Sequence, residues 1–90
     1  MSITSIKMYW DDDSGDDGWF VRLRRDDGQE RDEACAGEGS RDREIDYETA
    51  MDLGRGAVAG GLDMLGQTCP DDTVTAWLSD SLVAYDITYL

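Results

Sequence analysis

Apolar and polar positions alternate most cleanly over residues 18–25. Trp19, Val21 and Leu23 fall on one side of an extended chain there, and Phe20, Arg22 and Arg24 on the other. A period of two marks a strand with one buried face. Residues 3–10 repeat it: Ile6, Met8 and Trp10 share a side with Thr4, while Ser5 and Lys7 take the opposite one. Asp26-Asp27-Gly28 follows the 18–25 run, and Asp-Gly between two strand-like segments predicts a hairpin. The return strand, residues 29–36, is highly charged and poor in β-formers, so it is predicted at a sheet edge. In that hairpin Glu30, Asp32 and Glu33 lie opposite or diagonal to Arg22, Arg24 and Arg25, and some of these charges pair across the strands.

The period changes to that of a helix over residues 46–66. Ala50, Gly54, Ala57 and Gly61 form a stripe of small side chains, flanked by Met51, Val58, Leu62 and Leu65 on one side and by Leu53 and Met64 on the other. Asp46 is placed to accept from the free amides of the first turn, Glu48 suits the positive end of the helix dipole, and Gly66 suits a C-terminal stop. Glycine in a helix interior costs roughly 0.8–1 kcal/mol against alanine, so four of them, Gly54, Gly56, Gly60 and Gly61, require an outside reason. Close packing of the small-residue face on a sheet supplies one. Asp52, Arg55, Ala59 and Asp63 fall on the solvent face, and these charges exclude a membrane span.

Beyond Pro70 the pattern is double. Val74, Ala76 and Leu78 alternate with Trp77, and Val83, Tyr85, Ile87 and Tyr89 alternate with their neighbours, which predicts strands over 73–78 and 82–89 with a turn at Ser79-Asp80-Ser81. Val74, Trp77, Leu78 and Leu82 also fit a helical period, so 71–81 as a short second helix is the competing assignment. With strands preferred, the expected fold is α+β. It is an antiparallel sheet of about five strands in the order β-β-β-α-β-β, with one helix over about 46–66 packed on one face. Trp10, Trp19, Val21, Leu23, Val74 and Ile87 would meet the helix. The 90 residues form a single domain, 1–90, with one modest core.

Composition adds one strong feature. Twenty-one acids, sixteen of them aspartate, face eight bases, only one of which is lysine, for a net charge of −13. Self-repulsion of this size opposes compaction. It disfavours direct binding of nucleic acid or of anionic lipid, both of which need a basic surface. No secretory leader is evident in MSITSIKMYW, which points to a cytoplasmic protein. Cys35 and Cys69 then read as small apolar residues, with a bridge between them left open.

No reaction-class constellation can be assembled. Histidine is absent, no serine sits in a nucleophile elbow, and the two Gly-x-Gly pairs lack the rest of a phosphate-binding fingerprint. An enzyme is therefore not expected, nor is a cofactor. The loop acids Asp11, Asp13 and Asp17 offer oxygen ligands. An EF-hand started at Asp13 would put Gly15 at its third position and Arg24 at its twelfth. The bidentate glutamate is thus missing and no metal is expected.

What remains is the acidity itself. Carboxylates two residues apart on a strand are about 6.6 Å apart, on the scale of phosphates along a nucleic-acid strand. A small, acidic, β-rich chain with one helix and no catalytic residues resembles the phage-encoded DNA-mimic inhibitors of the anti-CRISPR and anti-restriction class. The resemblance is one of size, charge and layout over the whole chain. It implies a non-catalytic viral inhibitor that occupies the basic, nucleic-acid-binding surface of a CRISPR effector complex. Residues 18–23 (GWFVRL), then the hairpin and the 46–66 helix, also resemble the β-β-β-α layout of HicB-type antitoxins. The competing explanation of the same composition is the acidic surface of a halophile's protein, which stays hydrated in molar salt. On the mimic reading, the partner-binding residues are the loop acids Asp11, Asp12, Asp13, Asp16 and Asp17 together with the hairpin acids Asp26, Asp27, Glu30, Asp32 and Glu33. Trp10 or Trp19 is a candidate apolar anchor, and the outer helix acids Asp52 and Asp63 are expected to matter less.

Overall fold

The computed structural model describes residues 2–12 and 17–85. Its elements follow the order β1 (Ile3–Asp11), β2 (Gly18–Arg25), β3 (Glu30–Ala34), α1 (Tyr47–Leu65) and α2 (Asp71–Val83). The strands form an antiparallel meander in the order β1-β2-β3.

The hairpin between β2 and β3 turns where Asp-Gly predicted. The Gly28 amide donates to the Arg25 carbonyl (3.0 Å), and the Gln29 amide donates to an Asp27 carboxylate oxygen (3.0 Å). Gly28 sits at φ 87°, a backbone region that favours glycine and closes the three-residue loop. Charged β3 lies at the sheet edge, as expected.

In β1 the strict alternation fails at Thr4. The register shifts between Ile3 and Ser5, which turns Ile3 to the buried side with Ile6 and Met8 and leaves Thr4 exposed. A bulge adds one residue to one strand and so inverts the parity of everything before it.

Both helices lie on the same face of the sheet. α1 covers β2 and β3, α2 covers β1, and the two helices touch each other. Asp46 caps α1 by accepting from the Thr49 amide (2.7 Å), and Gly66 ends it in the left-handed conformation. The small-residue stripe is the packing face. A Cβ on Gly61 would stand 2.7 Å from Leu23 Cδ1, and one on Gly54 would stand 3.0 Å from both Leu78 Cδ2 and Met8 Sδ. Gly56 and Gly60 face open space instead. Of the flanking residues, Met51, Leu53 and Val58 are buried, Leu62 and Leu65 are half-buried, and Met64 stands in solvent, 64 % exposed.

The five-strand, one-helix arrangement is overturned by α2. Residues 73–78 are helical, and Ser79-Asp80-Ser81 continues the helix instead of turning. Val74, Leu78 and Leu82, four residues apart, are its buried line against β1, with Trp77 half-buried beside them. That spacing is one face of a helix. Pro70 at the N-cap cannot extend a preceding helix, and Asp71 and Asp72 occupy the first turn, where the helix dipole favours anions. The remainder of the second predicted strand, including Ile87, lies outside the described residues.

Trp19 is fully buried and held by the 35–46 connection. Its amide donates to the Ser40 carbonyl (2.8 Å) and its indole N–H to the Asp42 carbonyl (3.0 Å). Trp10 is half-buried, with its ring edge-on to Trp19 at 5.6 Å, and the Tyr85 ring also meets Trp19 edge-on at 5.2 Å. Both tryptophans therefore serve the core more than the surface.

Candidate interaction surface

The meander splits the expected binding residues between its two ends. At one end Asp11 closes β1, with Asp12 and Asp17 in the β1–β2 connection, and the β2–β3 hairpin carries Asp26 and Asp27 at the other. The eight residues of β2 between them span roughly 23 Å. Asp13 and Asp16 lie outside the described residues.

Most of the hairpin acids are engaged within the fold. Asp32 receives a two-pronged bond from Arg22, 2.7 Å at Nε and 3.0 Å at Nη2. That guanidinium holds the Asp32 carboxyl below its ordinary range and is itself held more firmly protonated. The same guanidinium lies over the Tyr9 ring at 5.3 Å, and Tyr9 stacks on Phe20 at 5.8 Å. Burial, then the nearby Asp32 charge, raises the Tyr9 phenol above its usual value. Glu33 pairs with Arg31 (2.6 Å) and Asp27 with Arg25 (3.1 Å). Asp26 accepts from the Ser2 amide (3.1 Å). Glu30 stands opposite Arg24 in the register. Over the hairpin, residues 18–34, five acids meet four arginines, so little of the −13 resides there.

The helical layer is different. Across residues 47–85, Glu48, Asp52, Asp63, Asp71, Asp72 and Asp80 are all exposed, and Arg55 is the one base. Arg55 turns sideways, donating a hydrogen bond to the Thr75 hydroxyl and tying α1 to α2. Tyr47 makes a second tie by donating to the Ser79 hydroxyl (3.0 Å). Among the described residues the six carboxylates make no ion pair. Gly56 and Gly60 leave the backbone bare between Asp52 and Asp63. The sequence reading placed Asp52 and Asp63 on the solvent face. Asp71, Asp72 and Asp80 were not seen as members of the same layer, because they were read as turn residues on either side of a strand over 73–78. Pro70-Asp71-Asp72 was the available signal, a helix-start composition.

The chemistry of the remaining features is modest. A shallow cavity of about 260 Å³ brings Trp19, Cys35 and Arg41 together at the start of β2. Burial pushes the Cys35 thiol up to about 12, so it forms apolar wall and not a nucleophile. Cys35 and Cys69 are both free thiols. Among the described residues no group of three or more Cys, Asp or Glu side chains is arranged to hold a metal ion, and no helix is long and apolar enough to cross a membrane. No family model, no curated protein and no solved structure matches this chain.

Proposed function

We propose that the chain is a non-catalytic acidic inhibitor that docks on a basic, nucleic-acid-binding protein surface as a mimic of the nucleic acid. An anti-CRISPR protein that blocks target-DNA binding by an effector complex is its most specific form. The observation that carries this reading is the segregation of charge. Six carboxylates with one sideways-tied arginine cover the two-helix layer, while three of the five hairpin acids, Asp27, Asp32 and Glu33, are paired with arginines of the same hairpin. A carboxylate already paired within its fold has little left to offer a partner's cations, whereas exposed single carboxylates meet them at small desolvation cost. The contact is therefore assigned to the helical layer, joined by the exposed loop acids Asp12 and Asp17. Glu48 and Asp52, one turn apart along α1, are separated by about 6 Å of helix rise, a spacing compatible with a groove built for phosphates.

The test is capture of effector complexes from a host lysate, followed by competition with target DNA in a salt series. Expected are mutually exclusive binding with DNA and an affinity that falls steeply as salt rises. Simultaneous binding with DNA, or an affinity indifferent to salt, overturns the proposal. A melt in low and in molar salt separates it from halophilic adaptation, since a halophile's domain gains strongly when its own repulsion is screened.

A further inference from the structure

We draw no further inference here: the strongest candidate, the uncovered outer face of the three-stranded sheet where the stacked Tyr9 and Phe20 rings stand beside Lys7, Arg22 and Arg24, carries nothing because no feature of the structure shows what covers it.

Discussion

The sheet and the helical layer manage charge in opposite ways. On the sheet, acids and arginines are interleaved at cross-strand distance, and the geometry of an antiparallel ladder brings them together, as with Arg22 and Asp32. On the helices, the one base is Arg55, three positions from Asp52 and drawn aside to Thr75, so the other acids have no base one turn away. Density of acidic residues along the chain is thus a poor guide to negative surface. The most acidic-looking stretch that folds into the sheet is nearly balanced, and the sparser helices carry the unopposed charge.

The largest expected effect comes from breaking the seam that joins the two layers. Gly61→Leu forces a branched side chain onto Leu23, and Gly54→Leu forces one onto Leu78 and Met8, all three fully buried. Overpacking typically costs about 1–3 kcal/mol, and a leucine in place of hydrogen at these distances belongs at or beyond the upper end. Each variant should melt far below wild type by circular dichroism. Gly60→Ala on the open face of the same helix should instead gain about 0.5–1 kcal/mol. Equal behaviour of Gly60→Ala and Gly61→Leu would remove the distinction between the two faces.

Next in size is the effect on binding. Asp52→Asn, Asp63→Asn and Asp80→Asn together, chosen away from the first turns where acids support their helices, should weaken the partner complex on the order of tenfold or more. The matching hairpin set, Asp26→Asn, Asp27→Asn and Glu30→Gln, should change it much less. Calorimetric titration of both sets against the captured partner decides between them, and a dominant hairpin set reverses the comparison.

The smallest effects concern single carboxylates. Asp32→Asn removes an exposed ion pair and should cost no more than about 1 kcal/mol. Its sign with pH is fixed. Asp32 and Asp46 are held below their ordinary range in the fold, by Arg22 and by the Thr49 amide respectively. Their stabilising contribution is therefore complete above the unfolded carboxylate range, near pH 4, and is lost as pH falls through the lower folded values. Melting temperature should drop as pH falls below about 4, and the drop should be shallower in the Asp32→Asn, Asp46→Asn double variant. An unchanged slope would mean that neither bond matters in solution.

The meander, its Asp-Gly turn and both caps of α1 were legible because each rests on local chemistry, a period or a capping residue within a few positions. The bulge at Thr4 was not, since nothing in Ile-Thr-Ser-Ile marks which residue is extra; only pairing with β2 decides it. α2 was misread because Val74, Thr75 and Ala76 satisfy an alternation as well as a helical line, and β-branched residues favour the former. The decision falls to tertiary packing on β1, where Val74, Leu78 and Leu82 bury together. The surface followed the same division. The sequence located the carboxylates, but their pairing depends on the folded hairpin: Asp32 meets Arg22 through strand register, while Asp27 and Glu33 meet arginines two positions away.

The Trp10 amide donates to the Tyr85 hydroxyl at 3.1 Å, across 75 positions of chain. Together with the packing of α2 on β1, this makes the last described helix rest on the first strand, from which an order of assembly is predicted. The meander and α1 close short loops and can form early, whereas α2 must wait for the longest closure. Leu82→Ala is expected to speed unfolding and leave the folding rate nearly unchanged, while Val21→Ala in the central strand slows folding; a chevron analysis reads both. The lifetime of the native protein is then governed by how long its second helix stays down.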